Sequence, residues 1–348
     1  MEDADTESSP SPDRRALSPG MSMRRLDRRH FTIGCLSAFA AAPSAILAAP
    51  AETAAPEPGS LDILVPTLGG TGLGLVGTAL VDCLGQDGIH ARLHVTPGGE
   101  AGDAVARLIA AQIDHSATVL IASSAIIGML LYQNATPSLS AARPLVRLLN
   151  DYGVVVVSRD SAVASFGELA AAWVAAPASV RWTGAKLGST SHILAVSIGR
   201  QLNLPAGSVL YRPCITNAAG LKDVLAGDAE CGVANLSDLV PYLGSGLLRP
   251  LAVAAPQRLP GLNVPTLFEY GVDCRMPNWC GLFAPPGIGP AAYEALLAAM
   301  DRMASGLAWR SKLYQYNWIS AYLGGEPYAV FVRAETERLR NLLATLAL

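Results

Sequence analysis

Past residue 60 the chain alternates short runs of strand-forming residues with segments whose apolar positions recur at helical spacing. The first run is Leu61-Asp-Ile-Leu-Val-Pro66, and a glycine-rich stretch follows it, Gly69-Gly-Thr-Gly72-Leu-Gly74-Leu-Val-Gly77. Leu75, Val76, Leu80 and Leu84 predict a helix that begins among those glycines. Arg92-Leu-His-Val-Thr96 is a second strand, closed by Pro97-Gly98-Gly99, and a helix runs on through Val105, Leu108 and Ile109. Thr118-Val-Leu-Ile-Ala122 is a third, ending in Ser123-Ser124 ahead of another apolar helical segment. The uncharged run 118–132 is too short to cross a bilayer and reads as a buried strand and helix. Three such alternations predict an α/β protein with a parallel sheet and helices on both faces.

Two apolar segments around 145–157, one of them Val154-Val-Val-Val157, mark a crossing into a second domain. Ser165-Phe-Gly-Glu168 has the spacing of a capping box at the start of a helix. A second set of the same units comes next. Val180-Arg-Trp-Thr183 is a strand, and the loop Gly184-Ala-Lys186-Leu-Gly188-Ser189-Thr190-Ser191-His192 leads into a helix at Ile193. Val209-Leu-Tyr-Arg212 is another strand, with Thr216-Asn217 as cap candidates for a helix ending at Gly227. The run 230–234 is a strand leading into Asn235, and Leu251-Ala-Val-Ala254 is the last of this set. The proline-rich stretch 256–272 carries the chain back to a return strand at Asn278-Trp279-Cys-Gly-Leu-Phe-Ala-Pro285. Pro290 then opens a helix through Leu296, Leu297 and Met300. A final helix from about 326 to 343 sets Arg333, Glu335, Glu337, Arg338 and Arg340 against an apolar face, and those charges read as a solvated surface.

Composition narrows the function. With 348 residues, 51% of them hydrophobic, the chain can bury a core large enough for two domains. A net charge of −3 and the lack of any Lys/Arg run leave no basic surface for nucleic acid. Residues 1–51 read as a leader: an acidic, Ser/Pro-rich start, then Arg28-Arg29-His30-Phe31 before an alanine-rich run to Ala49. That pattern resembles a twin-arginine export signal, with Ala49-Pro-Ala51 as the cleavage site and the periplasm as destination. Pro43 and the weak hydropathy of the run speak against a membrane anchor. Beyond the leader stand Cys83, Cys214, Cys231, Cys274 and Cys280, with no C-x-x-C and no His/Cys cluster at metal-ligand spacing. Buried free thiols are the simplest reading of them. No metal and no cofactor is expected.

The candidate chemistry lies at the strand ends. A helix start leaves N–H groups without intrahelical partners at the positive end of its dipole, so several of them around one cleft form an anion site without a cation. On this reading Thr67, Gly70 and Thr71 form one wall, and Ser123 stands at its own strand end. Ser189, Thr190 and Ser191 in the 184–192 loop, with Thr216 and Asn235, form the facing wall. The plainer alternatives are tight strand–helix turns for the first group and N-capping for the hydroxyls. Lys186 is read as a solvated loop lysine, Trp279 as hinge or core. His192 has Val196 and no second ligand one turn on, so packing or an indirect hydrogen bond is expected of it.

Several stretches in order resemble the extracytoplasmic solute receptors of the tripartite tricarboxylate transporter family, the Bug receptors. Gln257-Arg258-Leu259-Pro260…Asn263-Val264-Pro265-Thr266-Leu-Phe268-Glu269-Tyr-Gly271-Val272 is similar to their R-L-P…V-P-T-x-x-E-x-G run. Trp279-x-Gly281-Leu-Phe-Ala284-Pro285-Pro-Gly287 follows at the expected place. Tyr211-Arg212…Leu221…Val224-Leu225-Ala-Gly227 resembles a Y-K-G…DLL-x-G segment, Gly184…Gly188-Ser189-x-Ser191-His192 a G-x-G-S-x-x-H loop, and Pro97-Gly98 an R-P-G turn. The resemblance spans about residues 61–346. It implies a type II periplasmic-binding-protein fold, two α/β lobes joined by a two-strand hinge with a ligand cleft between them. Lobe 1 would hold 61–155 and 275–348, lobe 2 156–274. It also implies a monomeric, non-enzymatic receptor for a small carboxylate, held by loop amides (Pro97, Gly98, Gly184 and Gly188 among those loops) and delivered to a small and a large membrane subunit. In the first loop Gly74 stands where the family carries an acid and Thr78 where it carries arginine, and Glu230 where aspartate is common.

The rival reading is an exported NAD(P)-dependent oxidoreductase, because Gly72-x-Gly74-x-x-Gly77 satisfies G-x-G-x-x-G after a strand. Against it, the second strand ends in Thr96-Pro97 and not in the acid a ribose hydroxyl needs. A serine hydrolase is poorer still, with no G-x-S-x-G and no acid evident for Ser189 and His192.

Overall fold

The computed structural model describes residues 60–66, 72–96, 101–111 and 117–348. Three strands come first in the chain: β1 (Ser60–Val65), β2 (His90–Val95) and β3 (Ala117–Ser123). They pair in parallel with β1 in the middle. Among them lie α1 (Gly72–Gln86) and α2 (Ala101–Ala110), and α3 (Ser124–Tyr132) leaves β3 without a gap. α1 buries Val76, Leu80, Cys83 and Leu84, the stripe its helical spacing predicts. Gly77 lets it lie close, since a Cβ there would stand 2.9 Å from Leu93 Cδ2 on β2. The last glycine of the dinucleotide-like motif therefore has a packing role.

The two apolar segments expected around 145–157 are one unbroken strand, β4 (Arg143–Ser158). Val155 and Val157 enter one buried cluster and Val154 and Val156 another, so the valine run is covered on both faces. Up to Tyr152 the strand pairs antiparallel with β9 (Pro277–Ala284), and it also pairs with β10 (Ile319–Gly324). From Gly153 onward its partners are β7 (Cys231–Asn235) and β8 (Leu248–Val253). The return path is tied on at that point: Ala254 N–H donates to Gly153 O (2.8 Å) and Met276 N–H to Ala254 O (3.1 Å).

The second set of units repeats the first. β5 (Arg181–Gly184) lies between β6 (Leu210–Pro213) and β7, all parallel. Its helices are α4 (Phe166–Ala175), α5 (Thr190–Gln201), α6 (Asn217–Ala226) and α7 (Leu236–Leu243). The capping box at α4 forms with one shift: Ser165 Oγ accepts from Glu168 N–H (3.2 Å), while the Glu168 carboxylate accepts from Ala164 N–H (2.8 Å). The chain ends in α8 (Pro290–Ser305), α9 (Leu307–Gln315), β10 and α10 (Gly325–Leu346).

The whole is α/β with two lobes, and the sheet is mixed where a parallel one was expected. Each triplet is parallel because its strands are joined through helices. β4 and β9 run antiparallel to their neighbours because the chain goes out along one and comes back along the other. Three elements escaped the hydrophobic pattern. α7 carries Pro241 inside it, β10 is half-buried along its length, and α9 packs through Trp309 with little other apolar stripe. Among the described residues no helix is long and apolar enough to cross a membrane.

Candidate functional site

The starts of α1, α3, α5, α6 and α7 converge on one cavity of about 100 Å3. Gly72, Leu73 and Val76 of α1 and Ser123, Ala125 and Ile126 at α3 line one side. Ala185, Lys186 and Ser189, then Thr216 and Asn217, then Asn235 and Asp238 line the other. Leu149 and Asp151 of β4, Asn278 and Cys280 of β9, and Trp318 close the floor. Each of these helices follows a strand directly or through a short loop, so the alternation read in the sequence is what aims them here.

Ser123, Ser189 and Thr216 reach the cavity as N-caps. Their hydroxyl oxygens accept from the N–H groups of Ile126 (3.4 Å), His192 (3.3 Å) and Ala219 (3.1 Å). A hydroxyl that accepts at a cap still has its own proton to donate, so capping and binding are compatible roles. Behind Ser189 the Tyr211 phenol donates to Ala185 O (2.7 Å), and burial pushes its pKa well above the ordinary range. Asn235 lines the cavity as the cap residue of α7.

The remaining expected residues of the second lobe stand behind that wall, outside the lining. Ser191 Oγ donates to Asn217 Oδ1 (2.6 Å), and Thr190 is buried in the first turn of α5. A Cβ on Gly184 would stand 2.6 Å from the Tyr211 hydroxyl and 2.9 Å from Val233 O. Gly188 has φ +78°, and a Cβ there would stand 2.5 Å from Tyr132 Cβ and 3.0 Å from Met129 Cα on α3. We expect Gly188→Ala to cost about 2 kcal/mol in a denaturant titration, from left-handed backbone strain and the clash with α3. An unchanged midpoint would place the loop free of α3. Thr67, Gly70, Thr71, Pro97 and Gly98 lie outside the described residues, as does the 1–51 leader.

His192 packs, as its surroundings in the sequence led us to expect. Its Nδ1 accepts from Gly188 N–H (3.1 Å) and its ring meets Tyr132 edge-on and tilts against Tyr211. Burial lowers its pKa to about 4, so it stays neutral near pH 7 and braces the loop.

Four lining residues were not picked out by the sequence reading as binding groups: Asn217, Asp238, Asp151 and Asn278. Asn217 is a hub. Its Oδ1 accepts from Ala185 N–H (3.1 Å) and from Ser191, and its Nδ2 donates to Asp238 Oδ2 (2.8 Å). Asp238 stands three residues after the cap Asn235, in the first turn of α7. Asp151 accepts from Tyr152 N–H (2.9 Å), Ser237 N–H (3.4 Å) and Ser237 Oγ–H (2.5 Å). The positive end of α7 is thus already met by two carboxylates of the protein itself. Burial raises the pKa of both, Asp151 to about 7, with the charge of Asp238 adding to the shift. A signal for each was present. Asn235-x-x-Asp238 after a strand has cap spacing, and Asp151 is the sole acid in the apolar run 145–157.

Among the described residues no group of three or more His, Cys, Asp or Glu is placed to hold a metal, and the five cysteines stand free. Beside β3 the sheet continues into antiparallel β9. The dinucleotide motif therefore lacks the parallel continuation on that side that a nucleotide-binding sheet would have.

A sequence profile described as tripartite tricarboxylate transporter family receptor (TctC) matches residues 98–348. The chain belongs to that family. A curated relative, a UPF0065 protein in the tcbD–tcbE intergenic region of Pseudomonas sp. strain P51, is 24% identical over 250 residues, 70% of this chain and 74% of the relative. Two solved structures from Rhodopseudomonas palustris have the same fold. Rpa4515 with adipate superposes with a TM-score of 0.74 at 19% identity, covering 83% of this chain and 97% of that one. MatC with bound malate gives 0.70 at 19%, over 82% and 98%. In this receptor the stretch that carried most of the resemblance is scaffold. Arg258 grips Glu269 through two bonds (3.0 and 2.6 Å) and holds its carboxyl down at about 2, while Glu269 also accepts from Thr266 N–H (2.9 Å). Neither residue lines the cavity.

Proposed function

We propose that this receptor is a periplasmic, non-enzymatic binding protein that captures a small carboxylated metabolite between its lobes. The observation that carries the reading is the convergence of five helix starts, from both sides, on one cavity. Backbone N–H groups and capping hydroxyls there are fixed in place before a ligand arrives, so an anion gains their dipoles at little ordering cost. Closure of the lobes over the solute would exclude water and strengthen each of those bonds. Malate and adipate in the two R. palustris structures belong to the solute class we expect.

The lobes are read as 61–155 with 275–348, and 156–274, with β4 and the return into β9 as the hinge. The change of partners along β4 at Gly153 supports that division. The expected binding groups are Ser123, Ser189, Thr216 and Asn235 in the lining, and Thr67, Gly70, Thr71, Pro97 and Gly98 in loops outside the described residues. Gly184, Gly188, Thr190 and Ser191 would act by shaping the wall. Export by the Arg28-Arg29 leader, a monomeric state, and delivery to a small and a large membrane subunit complete the proposal; sensing is the use expected where those subunits are lacking.

The test is a thermal-shift panel of mono-, di- and tricarboxylates, aromatic acids and NAD(P) on the purified protein. A ligand present at about a hundred times its Kd stabilises by about 2.7 kcal/mol, enough for a clear rise in the midpoint. We expect a carboxylate to produce it. A rise with NAD(P) alone would replace the receptor reading by the oxidoreductase one.

A further inference from the structure

A second cavity, of about 410 Å3 against about 100 Å3 for the cleft, lies between α3, the segment 134–144 and α10. It shares no lining residue with the cleft. α3 separates the two: Ala125 and Ile126 border the cleft, Ile127 and Leu130 the second cavity. The depth of that cavity is apolar. Leu130, Leu139, Ala142, Phe283 and Val332 line it, all of them buried.

Its rim is a set of donors, with no acid among the described residues that line it. Arg333, Thr336 and Arg340 share one face of α10, and Asn134 and Ser138 come from the segment after α3. The Asn134 side chain and the Thr336 hydroxyl have no hydrogen-bond partner among the described residues. Ser138 Oγ accepts from Ser140 N–H (3.3 Å) and Ser140 Oγ–H (3.1 Å) and keeps its own proton to donate. Each guanidinium gives one N–H to an acid of its own helix, Arg333 to Glu326 (3.0 Å) and Arg340 to Glu337, and both pairs are exposed. Pairs of that kind hold weakly, so most N–H groups of both arginines remain for another acceptor. Two of the charges that the sequence presents as a solvated surface thus border a cavity.

We propose that this cavity is a second ligand site, for a free medium-chain fatty acid whose alkyl chain fills the apolar depth and whose carboxylate is received by Arg333, Arg340 and Thr336. The charge suits one sign only, since two guanidiniums and no carboxylate line the space. The size suits a single chain. Taking about 30 Å3 for each water-sized unit, there is room for about a dozen heavy atoms, the number in decanoate. An alcohol of that length would fill the depth and forgo the guanidiniums, and an alkylamine would be repelled by them. No cleft residue takes part, so the site stands apart from the receptor reading.

Isothermal titration calorimetry with octanoate, decanoate, 1-decanol and decylamine, each below its micellar concentration, tests this. We expect one decanoate per chain, bound about tenfold or more tighter than octanoate, because each further buried methylene adds about fourfold. Decanol should bind about tenfold more weakly than decanoate, and decylamine more weakly still. Arg333→Gln combined with Arg340→Gln should weaken decanoate about tenfold and leave decanol unchanged. Ala329→Trp, which fills the cavity from α10, should abolish the binding of both and leave the thermal-shift response to the carboxylate panel intact. Failure of decanoate to bind would overturn the inference, as would decanol binding equally well or Ala329→Trp having no effect. Loss of the panel response together with that of decanoate in Ala329→Trp would make the two cavities one site and overturn it too. So would a concentration-dependent dimer that Ala329→Trp removes, since a second copy would then be the occupant. Should Ala329→Trp not fold, the chain-length series and the double arginine variant decide. Decanoate binding in a protein to which no carboxylate of the panel binds would keep this site and fell the receptor reading.

Discussion

Asp151→Asn is expected to stabilise the protein at about pH 8 by about 4 kcal/mol relative to wild type, and to do little at about pH 4. The unfolded aspartate titrates near 3.8, and burial raises the folded one to about 7. Between those values the folded chain binds the proton and the unfolded chain does not. Wild-type stability from this group is therefore complete at low pH and declines as pH rises through about 7. Asparagine removes the titration and can keep the contacts. Its Oδ1 replaces the acceptor for Tyr152 and Ser237 N–H, and its Nδ2 donates to Ser237 Oγ in place of the bond now running the other way. Asp238 and Cys280 feel the same charge, and Lys186 lines the same cavity. The quantity to measure is accordingly the difference between variant and wild-type unfolding free energies across pH, in which the other titrations largely cancel. Parallel curves would mean that Asp151 ionises normally and that the cavity floor is wetter than its burial implies.

That acid also marks the limit of what the amino-acid pattern disclosed. Many of the helices were legible because burial on one face imposes a period, which α1 and α2 follow, and strands such as β5 were legible as short apolar runs buried at consecutive positions. Topology was less legible. Nothing in Val154-Val-Val-Val157 says whether its neighbours run parallel or antiparallel, since a strand covered on both faces has the same composition either way. α7 was hidden by Pro241, although its cap spacing, Asn235-x-x-Asp238, was in plain view.

The site was legible as a kind of place, less so residue by residue. Strand ends that lead into helices placed Ser123, Ser189, Thr216 and Asn235 on the cavity, because a cap residue must sit where the helix starts. Glycines in the same loops were equally visible and mean something else. Gly184 and Gly188 are small so that Tyr211 and α3 can approach, which only the packed structure reveals. The acids were missed because they come from a strand interior and the third residue of a helix, positions that a search of loops does not visit. An uncharged anion cradle was the expectation, and helix starts supply the dipoles for one. Asp151 and Asp238 add a negative end to it.

Gly281→Ala is expected to cost about 3 kcal/mol or more, and to lower the yield of folded protein. Gly281 lies in β9, where its register partners are Arg147 on β4 and Ala122 on β3, so both of its backbone neighbours are fixed. A methyl group there would stand 2.5 Å from Val146 O and would also overlap the Tyr328 hydroxyl. Neither can yield cheaply. The carbonyl belongs to the strand that runs through both lobes, and Tyr328 is buried against Trp279 and Phe283 in an aromatic cluster. Trp279 and Gly281 of the family-like Trp279-x-Gly281 segment thus share one physical cause: the indole fills the space beside β9, and the missing side chain lets the tyrosine reach the strand. Gly85→Ala provides the control. It sits late in α1 with nothing within 4 Å of a new Cβ, and the gain in helix propensity should stabilise by about 0.5–1 kcal/mol. Comparable losses at both positions in urea titrations would mean that glycine is wanted for chain flexibility in general. A loss at Gly281 alone would tie the segment to the close approach between β9, β4 and α10, the packing that fixes one side of the binding cavity through Asn278 and Cys280.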